Sequence, residues 1–536
     1  MFNYKKKKLV DVLNRSFGKP KNDLSNFHQI ESYFRKKDNS KEFQIISDRV
    51  CNDLDFNKLF KFIDRTCSKV GQQFLYNKLR VLPKNVNKSD QKLIEEFVNN
   101  YSFRNEIQYQ LSKLNDAQAY HINSLFQDSH REKPKWFFIV PLLSFISLPL
   151  FVLSLSFHVF LYILPIILIT NGVIHYWNKY NLYPYLSSIP QLLILNKVAK
   201  ELTKHSILND IQLDVLSAIR AIDKIRNRMS FFKLQVNVET GGEIVAAIII
   251  EIFKIFVLLE PLLLFNTLNK IESTKNEIEK VFSFIGKIDS LISIASLRYG
   301  LKDYCIPGIK NKYGIVNIKD MYHPLIPNCI PNSININGKS ILLTGSNMSG
   351  KTSFIRAIGI NVITGLTINT CFAKQFQIPK MRILTAIRIS DDLLSNKSYY
   401  FEELLTIKDM INSINDRDCS IMLLDELFKG TNTIERIAIG KAVLSYLSKT
   451  DNIVFVSTHD NELADLLKDE YELYHFTENV KNETIHFDYK LKNGRLQTRN
   501  AIKILSINKY PESVINEAIS ISKSPNQINP NKVKRD

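Results

Sequence analysis

The apolar positions of the chain fall into three textures. Segments 44–130 and 181–300 are rich in Leu, Ile, Lys and Glu and poor in Gly, and they read as mostly helical. From about residue 313 the texture changes. Short β-rich runs, Ser340 to Thr344, Ile421 to Leu424 and Ile453 to Ser457, alternate with helical stretches, which predicts a parallel α/β sheet. Between the two helical segments, no Asp, Glu, Lys or Arg occurs from Trp136 to Asn178. One bilayer crossing takes about 20 apolar residues, and this run is about twice that. Ser154, Ser156 and His158 soften its middle, so the pattern predicts a transmembrane helical hairpin, 136–155 and 158–177, within residues 131–180. Trp136, Tyr176 and Trp177 stand at its ends, where aromatic rings favour the headgroup zone. Arg131, Lys133, Lys135 and Lys179 flank it, which places both ends in the cytoplasm. The competing reading is a buried helical pair in a soluble protein. A second apolar region, Ile244 to Phe265, contains Glu251, Lys254 and Glu260 and is expected to be a buried core helix, with Glu251 and Lys254 able to pair on one face.

Charge changes the picture in one respect. The net charge of the 536 residues is +18, which suits an anionic partner such as nucleic acid or an anionic lipid surface. The basic segment 1–43 opens with Lys5 to Lys8 and no apolar stretch follows at once, so it is not read as a secretory signal. The tail, 523–536, is polar and reads as disordered. Six scattered cysteines form no Cys-x-x-Cys pair, which argues against a zinc site or a disulfide framework.

The candidate chemistry lies in the last third. Gly345, Ser346, Asn347, Met348, Ser349, Gly350, Lys351 and Thr352 fit G-x-x-x-x-G-K-[ST], between a strand and an amphipathic stretch, Phe354 to Ile360, and with Ser353 they are the candidate nucleotide-binding residues. Backbone N–H groups of such a loop surround phosphates at the positive end of the next helix. Lys351 would reach the β- and γ-phosphates of ATP, and the Thr352 hydroxyl would ligate Mg²⁺. Ile421 to Leu424 then ends in Asp425 and Glu426. Asp425 would hold Mg²⁺ and Glu426 would polarise the attacking water as general base. A third strand ends in Thr458, His459 and Asp460, at the edge where α/β sheets bind ligands, so His459 is expected to contact or sense the γ-phosphate.

These residues resemble a family. Thr344 to Thr352, with its Asn347-Met348 pair, is similar to the TGPNMxGKS loop of the MutS DNA mismatch-repair ATPases. In order along the chain, Tyr322-His323-Pro324 resembles the family's R-H-P lead-in. Ser390-Asp391-Asp392-Leu393 with Ser398 and Glu403 resembles its S-D-D-L…S-x-x-S…E stretch. Asp425-Glu426 through Gly430-Thr431-Asn432-Thr433 resembles D-E-x-x-x-G-T-S-T, and Ser457-Thr458-His459 resembles A-T-H. Asn500 to Ile502 and Tyr510 to Ile515 resemble the closing pattern. Upstream, Phe62 to Gly71 and Ile288 to Ala295 resemble the start of the family's helical core and its returning lever helix.

The resemblance implies an α/β ABC-type P-loop ATPase domain (301–522) that follows a mostly α-helical core and lever (44–130 and 181–300) interrupted by the hairpin. It implies ATP and Mg²⁺, a homodimer, and Ser398 as the signature serine completing the partner's nucleotide site. The aromatic that stacks on adenine in bacterial members falls near Cys329, whereas Asn332 keeps its place. About 60 residues precede the core-like motif, fewer than the family's mismatch-recognition and connector domains need, so mismatch reading is not expected. The expectation is a MutS-like ATPase, DNA-binding and linked to mismatch repair or damage handling, anchored to the inner (cytoplasmic) membrane with its ATPase domain and N-terminus in the cytoplasm. The alternatives are a membrane-associated, nucleotide-switched scaffold and a transporter-type ATPase without DNA binding.

Overall fold

The structure is a computed structural model. It describes residues 2–21, 26–85, 90–129, 133–181, 183–211, 214–229, 241–310, 315–346, 348–388, 399–414, 419–449, 451–481, 484–496 and 501–523. The chain forms two units. The first comprises Met1–Lys41, Phe60–Arg80 and Asn87–Leu301, and the second Glu42–Leu59, Val81–Val86 and Lys302–Asp536. The segment 44–130, expected to be helical core throughout, is therefore divided: residues 42–59 and 81–86 belong with the ATPase-like part.

The first unit is helical. Five of its helices matter below: α1 (Ile139–Ser154), α2 (Val159–Asn181), α3 (Gly241–Val257), α4 (Leu259–Glu272) and α5 (Lys275–Gly300). Helix α5 is buried on nearly every side from Ile278 to Arg298. Its Asp289 carboxylate accepts from the N–H groups of Cys67 (2.7 Å) and Ser68 (2.8 Å) and from the Ser68 hydroxyl (2.5 Å). Ser293 accepts from the Arg65 N–H (2.8 Å) and donates to the Ile63 carbonyl (3.0 Å). The two upstream motifs thus meet and cap the helix Lys69–Arg80. Gly71 is required there, because a Cβ would stand 2.1 Å from an Asp289 oxygen. Burial pushes the Asp289 carboxyl up to about 6, against the donors that favour its charge.

Helices α1 and α2 fall where the charge-free run predicts a hairpin. With the turn that precedes it, the first apolar stretch has 20 residues (Lys135–Ser154) and the second 23, about 30 and 34 Å at ~1.5 Å per residue. Only 28% of the first apolar window and 11% of the second is buried. Their small and polar residues point inward: Ser144, Ser147, Asn171, His175 and Asn178 are buried, while Phe145, Tyr162, Ile166 and Ile169 are exposed. Asn171 Nδ2 donates to Ser147 Oγ across the pair (3.1 Å). At the charged ends, the Trp136 and Trp177 rings meet edge to face at 4.9 Å.

The region expected to be one buried core helix, 244–265, is two helices. The chain breaks at Leu258, whose φ is +48°, between α3 and α4. Nor is α3 buried all round: Ile248, Ile249, Ile252 and Phe253 are exposed. Glu251 and Lys254 do lie on one face, 3.9 Å apart, but each has a shorter partner elsewhere.

The second unit is built on a sheet of five parallel strands: β1 (Ser340–Thr344), β2 (Arg382–Ala386), β3 (Ser420–Asp425), β4 (Ile453–Thr458) and β5 (Tyr471–His475). Their order is β5-β1-β4-β3-β2, with Lys492–Asn493 antiparallel on the β5 edge. Strands β1 and β4 are buried along their whole length and β3 up to Leu424, as their continuous apolar runs require. Helix α6 (Lys351–Ile368) follows β1. A second sheet of four strands holds Gly308–Lys310, Gln375–Pro379, Ile315–Met321 and Asn332–Asn337 in that order. Residues 42–59 are stitched to the far edge of the main sheet. Gln44 exchanges two hydrogen bonds with the Ile383 backbone (2.8 Å each). Asp53 accepts from the N–H groups of Ile387 (3.2 Å) and Arg388 (2.8 Å).

Candidate nucleotide site

The site forms where β1, β3 and β4 end side by side. Strand order puts β4 between the other two, so their C-terminal loops converge on one crevice. The loop after β1 turns sharply. Gly345 has φ +147°, and a Cβ there would meet the Phe476 carbonyl at 2.8 Å. Gly350, at φ +109°, precedes the first residue of α6. Met348 also lies in the left-handed region (φ +68°), with its side chain 84% exposed at the rim. Asn347 lies outside the described residues.

Lys351 is buried, and its Nζ donates to the carbonyls of Gly345 (2.7 Å) and Ser346 (2.9 Å). Burial lowers its ammonium to about 8, although Glu426 and Asp425 nearby favour the charge. Thr352 Oγ1 donates to Asp425 Oδ2 at 2.7 Å, and the other Asp425 oxygen accepts from the Ser457 hydroxyl. Glu426, at φ +51°, donates its N–H to the Ser457 carbonyl (3.0 Å). Its carboxylate meets His459 Nε2 at 2.5 Å and the Lys429 ammonium. Burial would raise this carboxyl, but His459 and Lys429 outweigh it and hold it down at about 2.

A cavity of about 520 Å³ opens onto Lys351, Thr352 and Glu426. Ser346, Met348, Ser349, Gly350, Lys351, Thr352, Ser353 and Glu426 line it, with Gly345 contributing the carbonyl that receives Lys351. The structure thus brings together all the expected phosphate-side residues it describes. Ser398 lies outside the described residues. Glu403, quoted with it, is fully buried and accepts the Phe428 N–H at 2.5 Å, which fixes the loop after Glu426. Asn432, standing where the family motif has Ser, accepts the Glu435 N–H (2.9 Å) and caps the helix Thr433–Ser448. Either residue makes that cap.

The other wall was legible only in part: His323 and Cys329 lie in or near family-like segments, whereas Phe476 and Tyr489 do not. Cys329 lines the cavity, and so do Tyr489, Phe476 and His323. Asn332 explains why Tyr489 is there. Its Nδ2 donates to the Tyr489 carbonyl (2.9 Å), and its Oδ1 accepts the Leu491 N–H (2.8 Å). The kept asparagine therefore clamps a segment 157–159 positions downstream, and an aromatic ring is present although Cys329 is not one. Burial, and then Arg356, lower His323 to about 4, so this wall presents a neutral imidazole at neutral pH.

The chain can hold an anion at α6 and a divalent cation at Thr352 and Asp425, beside an ionised carboxylate positioned by His459. The hydroxyl–carboxylate donor set suits a hard, oxygen-seeking cation such as Mg²⁺.

Comparison with known proteins agrees with this geometry. Residues 341–525 match the family model described as MutS domain V. The DNA mismatch repair protein MutS of Aquifex pyrophilus is 31% identical over 265 residues, covering 47% of this chain and 30% of that protein. The DNA mismatch repair protein MutS of Persephonella marina is 29% identical over 46% of this chain and 29% of its own length. The MutS protein homolog 4 of Homo sapiens is 31% identical over 45% and 27%. The matches thus span less than a third of each of these relatives. In its P-loop fold, its motif order and these matches, the C-terminal half of the chain is similar to MutS proteins, and residues 341–525 carry the match to MutS domain V.

Proposed function

We propose that this chain is a membrane-anchored, dimeric ATPase of MutS type whose nucleotide cycle governs contact with DNA. The convergence of Lys351, Thr352 and Glu426 on one cavity, with Asp425 bonded to Thr352 and His459 to Glu426 behind them, carries the reading. In this reading Lys351 exchanges its loop carbonyls for the β- and γ-phosphates. Thr352 and Asp425 hold Mg²⁺, which when bound offsets phosphate charge. Glu426 orients the attacking water. With its pKa held near 2 it positions better than it accepts protons, and His459 fixes its rotamer. Ser398 of a second copy completes the site, which makes turnover depend on dimerisation.

Helices α1 and α2 serve as the anchor, supported by their length, their exposed apolar faces and their inward polar residues. Lys133, Lys135 and Lys179 at the base favour the cytoplasmic side for the ATPase unit and the N-terminus. DNA is favoured by the net charge of +18 and by a cluster in which Lys6 and Lys113 both sit 4.9 Å from the Tyr109 ring, with Lys197 close enough to depress Lys113 further after burial. Nothing in the motif set favours a transporter-type or DNA-free scaffold reading.

The test is ATP turnover by detergent-extracted protein, with and without duplex DNA, beside Glu426→Gln. We expect turnover in the parent, a loss of about 100-fold or more in the variant with ATP still bound, and stimulation by DNA that fades with salt. Turnover unchanged in the variant would remove Glu426 from the chemistry, and no salt-sensitive DNA effect would remove DNA.

A further inference from the structure

Helix α3 has its amphipathicity reversed. From Ile248 to its end, its only charged residues are Glu251 and Lys254. Both turn toward α2 and α4. Glu251 meets Lys179 Nζ (2.7 Å) and His175 Nε2 (3.0 Å), and Lys254 meets Glu260 at 2.6 Å. His175 is fully buried, and Lys254 and Glu260 are 6% and 8% exposed. The two carboxylates and two ammonium groups balance. The opposite face carries Ile248, Ile249, Ile252 and Phe253, each more than half exposed. A helix facing water would have these two faces exchanged.

The break at Leu258 makes α3 and α4 a hairpin whose tip enters between α1 and α2. Asn171 Nδ2 donates to the Phe256 carbonyl (3.2 Å), and the Ser144 hydroxyl donates to the Val257 carbonyl (2.5 Å). The chain then returns: Phe265 packs on Phe137, ring centroids 4.8 Å apart, at the base of α1. Counted along α2 from its charged end to Asn171, the tip has risen about 15 Å at ~1.5 Å per residue, roughly half of a ~30 Å hydrocarbon layer.

We propose that α3 and α4 form a second, shallower membrane element, a re-entrant hairpin whose α3 outer face contacts lipid acyl chains. This rests on the reading of α1 and α2 as the anchor. The occupant follows from the helix's setting: the exposed face of α3 joins a helix pair long enough to span, and its charges are neutralised inward, as a hydrocarbon surrounding demands. The ionic cluster is what admits a charged helix to that depth. Because α4 leads through Ser273 and Thr274 into α5, and α5 ends just before the ATPase unit begins at Lys302, the inserted hairpin lies on the covalent path between bilayer and nucleotide site.

The test is photolabelling of the full chain in lipid nanodiscs with a phospholipid bearing a diazirine in its acyl chain, read by peptide mass spectrometry. We expect label on the α3 peptide at Ile252 and Phe253 and on the α2 peptide at Ile166 and Ile169, and no label at Tyr101, which is exposed outside these helices. Label on α2 without label on α3 overturns the re-entrant hairpin and leaves the anchor standing. Label on neither overturns the anchor as well. A chemical cross-link joining the α3 faces of two copies, with no lipid label there, assigns the face to self-association and overturns the proposal.

Discussion

Lys351 carries the most information of any single residue. Its amine donates to two carbonyls, and burial lowers it to about 8 from 10.5. Between those values the folded, nucleotide-free protein binds fewer protons than the unfolded chain, so this group's contribution to stability rises with pH there. Phosphates at the same amine favour its charged form. Nucleotide binding should therefore take up a proton at about pH 9 and almost none at about pH 7, with affinity falling as pH climbs through the window. Calorimetry in buffers of different ionisation heat measures that proton. Equal binding heats in all buffers at the higher pH would show that Lys351 does not meet the phosphates. At this scale much was legible beforehand, because the phosphate loop and the Asp425–Glu426 pair are contiguous and their spacing fixes the backbone. Tyr489 and Phe476 were not legible, since only the Asn332 clamp and the pairing of distant strands bring them to the cavity.

Among the elements, the junction of the helix Lys69–Arg80 with α5 is the least forgiving. Gly71 lies against the Asp289 carboxylate that holds Ser68, whose hydroxyl caps that helix, and a methyl group would overlap it. Gly71→Ala should destabilise the first unit by about 1–3 kcal/mol, the usual cost of overpacking a close contact. Thermal melts monitored by far-ultraviolet dichroism would register it, and an unchanged midpoint would mean that the helix shifts at no cost. The motif was visible in the chain, but its purpose was not: Asp289 lies 222 positions from Cys67. The same distance problem explains the misreading of α3. A one-dimensional pattern gives the separation of Glu251 and Lys254, whereas the direction in which they point depends on Lys179 and Glu260.

The whole molecule is not divided where its texture changes. Residues 44–59 read as helical core but complete the ATPase unit through Gln44, Asp53 and Asp55, the last paired with Arg388 at 2.7 Å. A fragment spanning 302–523 alone lacks these partners. It should melt lower than the same fragment with 42–59 fused back, by about 4 °C or more if two hydrogen bonds' worth of stability is lost. Equal melting points would show that the strip is a passenger.

That strip also sets an order of events during synthesis. Asp53 and Arg388 are 335 positions apart. At ~5–20 residues per second, roughly 15 s to a minute passes between their emergence from the ribosome. Helices α1 and α2 are made in full within that interval. The ATPase unit therefore cannot close until the apolar hairpin has already met its surroundings, so a nascent chain commits to its location before it can bind nucleotide.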